Sequence, residues 1–187
     1  MENKIKIKSK FKMVWSLSLV LLILQFLIEH FWGLQLLILG LNANFIRLIL
    51  SLNLLVSPIY FFNYNKYKLL KKIYGILSVI CSIFIIFLYM LIFSTNKYFY
   101  FQTPYKNSGK TLVAEETTCL MSGSSNFYEQ KYVIFIKPLN ESISTDDVVR
   151  PFSNDQYKIE WLDENRVQID YIYNPRGIQK SDIISFN

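Results

Sequence analysis

Long apolar runs fill the first half of the chain, whereas apolar and polar positions alternate through much of the second half. No side chain is charged between Ile73 and Asn96, and the run from Ile76 to Phe93 is almost wholly apolar. A bilayer core of ~30 Å needs about 20 helical residues, so this run predicts a membrane span rather than a helix inside a soluble core. We expect this span at about residues 74–94.

A second apolar stretch, residues 13–65, is too long for one span. As a single helix it would measure ~80 Å, so it must turn once. The two candidate turns contain Gly33 and Gly40, and the second also carries asparagines, which supply helix-stop and turn chemistry. We favour the turn at Gly40. The first span is then expected at about 13–39, tilted or bent near Gly33, and the second at about 44–62.

Lysine placement sets the expected orientation. Five lysines precede the first span and four lie between the second and third: Lys4, Lys6, Lys8, Lys10, Lys12, Lys66, Lys68, Lys71 and Lys72. Basic loops stay in the cytoplasm. Residues 1–12 are therefore predicted to be a basic cytoplasmic N-terminus and 63–73 a cytoplasmic loop of a multi-pass cell-membrane protein. Three crossings then place residues 95–187 outside the cytoplasm.

The charge balance supports this division. The first 94 residues hold nine lysines and Arg47 against Glu2 and Glu29, which gives +8, so a total of +6 leaves −2 for the remainder. The sequence pI of about 9.2 thus reflects lysines that flank hydrophobic spans. No basic face of a folded domain is indicated, and we expect the lipid bilayer as a partner and no nucleic acid.

The C-terminal part has the period of β-strands. Strand-like segments with β-branched and aromatic residues are Lys110–Thr118, Lys131–Lys137 before Pro138, Tyr157–Leu162, Arg166–Tyr173 and Ser181–Phe186. The third and fourth flank Asp163-Glu164-Asn165 and predict a hairpin. The fold class expected is an α-helical transmembrane region of about three spans, followed by a small all-β domain, an antiparallel meander or sandwich of five or six strands.

Three polar side chains within the predicted spans are candidates for an intramembrane site, because ionisable groups at membrane depth often mark pairs or pathways. Gln25 and Glu29 share a face of the first helix, and Arg47 lies in the second. A regular hairpin places Glu29 and Arg47 at different depths. We therefore favour an Arg47 that extends to the outer headgroups, with a Glu29–Arg47 pair as the alternative.

Catalytic side chains are sparse in the expected β domain. The chain's one histidine, His30, lies at the edge of the first span, so Cys–His and Ser–His chemistry are excluded there. Cys119 follows neutral threonines and is expected to be a small buried residue, with a free or intermolecularly paired thiol as alternatives. We predict no enzyme, no catalytic residue and no cofactor.

Two polar segments are the candidate binding loops: Ser122–Asn126, and Ser144–Asp147 leading into Arg150–Asp155. Their candidate ligand-binding residues are Ser122, Ser124, Asp146, Asp147, Arg150 and Asp155. The three aspartates lack the spacing of a calcium loop, so no metal site is predicted. Turn chemistry with an Arg150 salt bridge is the simpler interpretation.

Several of these segments carry a resemblance over roughly residues 111–173. Its elements are the Glu115-Glu116 strand, Ser122-Gly123 before Tyr128-Glu129, Phe135-Ile136-Lys137, Ser144–Asp147, Arg150–Ser153 and the Trp161 hairpin. The region resembles the C-terminal domain of uncharacterised small membrane proteins of low-GC Gram-positive bacteria. In that pattern a glycine often follows the paired aspartates, where this chain has Val148. The resemblance implies a cell-envelope location and no mechanism.

Three classes of function remain. First is a membrane protein that presents a β-rich interaction domain at the outer face to an envelope protein, a peptide or a polymer. Second is an immunity protein against a membrane-active bacteriocin or toxin. A membrane-anchored metal-dependent enzyme ranks last, because the domain lacks histidine.

Overall fold

The protein forms two compact units in a computed structural model. The structure describes residues 2–61, 68–93, 96–105, 108–119 and 122–186, with the backbone alone for residues 2–6 and Cys119. One unit comprises Met1–Trp32 and Leu41–Leu91, and the other comprises Gly33–Gly40 and Ile92–Asn187. Helices in the N-terminal half and an antiparallel all-β domain after them confirm the predicted fold class.

The helical unit contains α1 (Glu2–Trp32), α2 (Ala43–Val56), α3 (Pro58–Phe61) and α4 (Lys68–Phe93). Three helical stretches of this described part are long and apolar enough to cross a membrane: Ile7–Trp32, Ala43–Phe61 and Lys68–Phe93. The predicted cytoplasmic loop 63–73 is shorter in the structure, because residues 68–73 belong to α4. Residues 62–67 and 94–95, where two predicted span ends fall, lie outside the described residues.

The first helix ends at Trp32, so the prediction that it continues to Leu39 was wrong. Gly33 takes a φ of +62°, and Gln35–Ile38 forms the strand β1. A second turn follows at Gly40, with a φ of +80°. Both candidate turns are therefore used, because the segment between them pairs its backbone with a distant strand instead of continuing the helix.

The second helix begins where the asparagines lie. Leu41–Asn42 forms the short strand β2, and Asn42 Oδ1 accepts a hydrogen bond from the Phe45 N–H at 2.8 Å, an N-cap. Polar contacts then hold α1 against α2: Trp15 Nε1 donates to the Leu54 carbonyl at 3.2 Å, and Asn53 Nδ2 donates to Ser18 Oγ at 2.6 Å. Such contacts substitute for the hydrophobic effect between helices in lipid.

The β strands form two sheets. After β1 and β2 come β3 (Lys97–Gln102), β4 (Thr111–Cys119), β5 (Ser122–Tyr132), β6 (Phe135–Asp146), β7 (Tyr157–Trp161), β8 (Arg166–Ile172) and β9 (Gln179–Ser185). The larger sheet is curled and has the order β2-β1-β6-β5-β4-β3, and the smaller has the order β7-β8-β9. The predicted β7–β8 hairpin is confirmed. From β3 onward the described chain has seven strands, more than the five or six expected.

Two apolar clusters lie on the two faces of the curled sheet. The main core is shared with the smaller sheet and includes Leu112, Phe127, Phe152, Ile169 and Ile184. The other face carries a smaller cluster of Leu37, Val113, Tyr128 and Ile136, with Tyr98 against it. Both faces of β4 are therefore covered. Its polar side chains Glu115 and Glu116 are consequently buried, one on each face.

Two local predictions, one of a strand and one of a loop, were wrong. Residues 131–137 do not form one strand, because β5 ends at Tyr132, the chain turns at Val133-Ile134, and β6 begins at Phe135. The segment Ser122–Asn126 is not a loop but the start of β5, paired with both β4 and β6. Hydrogen bonds to strands on both sides satisfy this polar backbone despite its turn-like composition.

Candidate functional site

Two neighbouring glutamates of β4 lie on opposite faces of the strand, because successive side chains alternate. Glu116 lies on the face of the main core and is 1% exposed. Its carboxylate accepts hydrogen bonds from the N–H groups of Phe152 and Ser153, at 2.9 and 3.1 Å, and from the Ser153 hydroxyl. Arg150 Nε lies 3.9 Å from it. Glu116 thereby fixes the loop after β6 against the core.

Glu115 lies on the other face, in the smaller cluster, and is 7% exposed. Its Oε1 accepts from Asn96 Nδ2 at 2.7 Å and from the Tyr98 hydroxyl, and Oε2 accepts from the Tyr128 hydroxyl at 2.6 Å. Three donors thus stabilise one buried carboxylate. Burial, and then the charge of Glu115 and its hydrogen bond, raise the pKa of Tyr128 far above its ordinary value.

A cavity of about 490 Å³ lies beside this hydrogen-bonded cluster. One wall consists of Asn96 and the first residues of β3 up to Tyr100, and Leu39 and Gly40 form the other. The Glu115 carboxylate accepts hydrogen bonds from Asn96 and Tyr98, so these two side chains of the wall are held in place before any ligand arrives. Among the described residues that line the cavity, Lys97 is the one whose side chain is charged at neutral pH.

The same wall is an open sheet edge. All six residues of β3 pair with β4, from Lys97 opposite Glu116 to Gln102 opposite Thr111, without a register shift. No strand of the described chain pairs with its other side. Natural edge strands are usually protected by prolines, bulges or several charges, whereas β3 has one lysine followed by Tyr98-Phe99-Tyr100-Phe101.

Two of the predicted ligand-binding residues, Ser122 and Ser124, lie in strand β5. Ser122 lies opposite Asp146, and Ser124 lies opposite Ser144, in the β5–β6 register. The oxygens of Ser124 and Thr117 lie 3.1 Å apart, so Ser124 takes part in a cross-strand hydrogen bond. Ser122 and Ser124 are therefore strand residues, and a binding-loop role for them loses its geometric basis.

The turn after β6 holds Asp146 and Asp147. Asp147 and Val148 have φ values of +51° and +61°, and Thr145 Oγ1 donates to the Val149 carbonyl at 2.6 Å. This turn passes directly over Gly123, where a Cβ atom would lie 2.5 Å from the Val149 carbonyl oxygen. Asp146 and Asp147 thus take part in a turn, as predicted. The β-branched Val148 has a left-handed backbone conformation there, which costs conformational energy.

Asp155 lies in the turn that follows Arg150, where the Gln156 N–H donates to the Pro151 carbonyl at 2.8 Å. It lines a cavity of about 310 Å³ with Lys158, Asp170, Gln179 and other residues of the smaller sheet. The Ser181 and Gln168 side chains donate hydrogen bonds to Asp170 and lower its pKa. No three His, Cys, Asp or Glu side chains of the described residues are grouped in a way that would hold a metal ion.

The intramembrane candidates come together, which corrects our preferred interpretation. Arg47 forms an ion pair with Glu29 and donates to Asn44 Oδ1 at 3.2 Å. Gln25 is 5% exposed and its Nε2 donates to the Ala43 carbonyl at 2.9 Å. Because residues 35–42 form a hairpin of strands rather than continuing the helices, Glu29 and Arg47 reach each other.

The Asn96–Tyr98–Glu115–Tyr128 cluster was missed in the sequence. The available signal was two consecutive glutamates inside an otherwise apolar strand, Leu112-Val113-Ala114-Glu115-Glu116. A strand with such a sequence must bury at least one carboxylate, which then needs donors. The side chain of Cys119, which we expected to be buried, lies outside the described residues.

Comparison with known proteins identifies no relative. The chain matches no protein-family model, no curated protein sequence and no solved structure.

Proposed function

We propose that this protein is a membrane-anchored binding protein that presents its β domain at the outer face of the cell membrane. The observation that carries the proposal is the open edge of β3 beside a cavity in whose wall Asn96 and Tyr98 are held by Glu115. Such an edge offers a row of unpaired N–H and C=O groups, which an extended segment of a partner protein satisfies by adding a strand. The partner is an envelope protein or peptide.

The wall chemistry supports an extended peptide rather than a lipid chain. Alternate residues of β3 direct their backbone polar groups away from β4, and an acyl chain leaves those groups unpaired. Lys97 favours a segment with an acidic side chain.

The size of the cavity and the hydrogen-bonded side chains beside it fit a binding role. A volume of about 490 Å³ lies within the range of ordinary ligand sites. The hydrogen bonds of Glu115 fix Asn96, Tyr98 and Tyr128 in advance, so less side-chain freedom is lost on binding.

Site-specific photocrosslinking tests the binding role. A benzophenone amino acid replaces Tyr100 in the cells that naturally make the protein, and Glu164, on the exposed β7–β8 turn, is the control position. We expect a protein adduct from position 100 and none from position 164. Lys97→Glu should reduce the adduct several-fold, while Arg176→Glu, the same charge change on an exposed turn, should not. Equal adducts at both positions, or a lipid adduct at 100, contradict the proposal.

Thiol labelling tests the orientation. Single cysteines at positions 65, 108 and 178, in a Cys81→Ser and Cys119→Ser background, are exposed to a membrane-impermeant reagent on intact cells. Labelling at 108 and 178 but not at 65 is the expected result. Labelling at 65 alone would show the opposite topology, with the β domain and its partner in the cytoplasm.

A further inference from the structure

The tip of the β5–β6 hairpin is apolar and exposed. Tyr132 is 66% exposed, Val133 88% and Ile134 40%. Hairpin turns normally carry glycine, asparagine or aspartate, which tolerate water and the turn backbone. Leu39, at the turn after β1, is 98% exposed. We call Leu39, Tyr132, Val133 and Ile134 the apolar rim.

Backbone pairing joins the two parts of this rim to one edge of the sheet. The Leu37 N–H donates to the Ile134 carbonyl at 3.0 Å, continuing the pairing of Leu36 with Phe135. Because β1 and β6 are antiparallel, the turn after β1, with Leu39, and the hairpin tip before β6 lie at the same end of this strand pair. Clustered exposed apolar side chains of this kind usually mark a contact with a protein or a membrane.

We infer that the apolar rim inserts into the interfacial region of the outer leaflet. The inference rests on the membrane anchoring proposed above. Chain length carries it, because Leu39 precedes Ala43, the first residue of α2, by only four residues. Four extended residues span at most ~14 Å, so the rim cannot lie far from the end of a membrane span.

The composition of the rim fits lipid better than a protein partner. No member is charged, and the tyrosine supplies an amphipathic ring of the kind that favours the headgroup level. The flanking Lys131 pairs with Glu129 at 2.8 Å, which keeps that charge compensated beside the tip.

Nitroxide spin labels test the inference on the full chain in nanodiscs of phosphatidylcholine and phosphatidylglycerol. Single cysteines replace Val133, Phe84 and Glu164 in the Cys81→Ser, Cys119→Ser background. Phe84 is 60% exposed on α4 and reports the span itself, whereas Glu164 lies on the exposed turn of the smaller sheet. Collisions with oxygen, which concentrates in lipid, are compared with collisions with a water-soluble nickel chelate.

We expect the oxygen-to-nickel ratio to be several-fold higher at 133 than at 164, and highest at 84. A ratio at 133 equal to that at 164, with a high ratio at 84, overturns the rim inference and leaves the anchoring intact. A low ratio at 84 overturns the anchoring itself. Because Val133 is 88% exposed, its replacement leaves the core untouched, and a label at Ile134 gives a second measurement.

Discussion

Glu115 and Glu116 are neighbours in the chain, yet their carboxylates lie in two different clusters on opposite faces of β4. Glu116 accepts hydrogen bonds from the N–H groups of Phe152 and Ser153. Glu115 accepts hydrogen bonds from the hydroxyls of Tyr98 and Tyr128. One strand therefore fixes a loop on one side and a cavity wall on the other. The two roles are separable by substitution, because each carboxylate has its own donors.

Glu116→Gln should destabilise the β domain by about 3 kcal/mol, since the amide turns one acceptor into a donor and leaves buried N–H groups unpaired. The measurement is chemical unfolding of the full chain in micelles, followed by near-UV circular dichroism. Glu160→Gln is the matched control, because that side chain is 59% exposed, and it should change stability by less than about 0.5 kcal/mol. Equal effects of the two substitutions would contradict the conclusion that Glu116 fixes the loop after β6.

Tyr128 should make the protein sensitive to alkaline pH. Its pKa is raised in the folded state by burial and by Glu115, so the folded chain retains a proton that the unfolded chain loses above about pH 10. Stability is therefore fully present below about pH 10 and falls as the pH rises further. Tyr128→Phe should make that fall shallower, and should cost about 1–3 kcal/mol at neutral pH because Glu115 loses a donor.

The measurement for Tyr128 is unfolding by denaturant at a series of pH values. Tyr132→Phe, on the exposed hairpin tip, serves as the control and should leave the curve unchanged. A Tyr128→Phe curve parallel to the wild-type curve above pH 10 would show that other tyrosines carry the alkaline effect, among them Tyr171, whose pKa is also raised by burial and by Asp182.

Val148→Gly should stabilise the domain by about 1 kcal/mol. Val148 has a φ of +61° and is 38% exposed, so glycine removes left-handed strain without removing much packing. Thermal unfolding of the full chain measures the gain. Val148→Ala should give no comparable gain, and Val149→Gly, at an ordinary φ, should destabilise. A stabilising Val149→Gly would point to a general flexibility effect instead.

Glu29 and Arg47 should depend on each other in the helical unit. Each single substitution, Glu29→Gln or Arg47→Gln, leaves one charge at membrane depth without its partner, whereas the double substitution removes both. We expect a coupling of about 1–2 kcal/mol in a double-mutant cycle, measured by unfolding in lipid bicelles. Additive effects of the two substitutions would mean that the pair contributes nothing and that Arg47 interacts mainly with headgroups.

Local patterns were sufficient for some elements. The uninterrupted apolar run of α4 and the alternation around Asp163-Glu164-Asn165 each specify their structure within a short window, and both predictions agree with the structure. For other segments, the conformation depends on pairing with residues that are distant in sequence. Ser122–Asn126 has the composition of a loop, but hydrogen bonds to β4 and β6 make it a strand.

The site was harder to predict than the fold. The paired glutamates were visible in the sequence, but their donors, Asn96, Tyr98 and Tyr128, come from two other strands and a linker. The turn at Val133-Ile134 carries no glycine or proline, so composition indicated a continuous strand there. Asp146 and Asp147 were recognised as turn residues, whereas the cavity that Asp155 lines depends on tertiary packing.

Strand β1 has a consequence for how this protein is made and handled. It belongs to the sheet of the β domain, yet 101 positions separate Gln35 from its partner Ile136. During synthesis β1 must remain unpaired until β6 leaves the ribosome, so the sheet closes only after most of the chain exists. A fragment excised at residue 95 would lack this strand and expose the edge of β6 beside Ile136. Biochemists who want the isolated domain should therefore graft Gln35–Ile38 onto it.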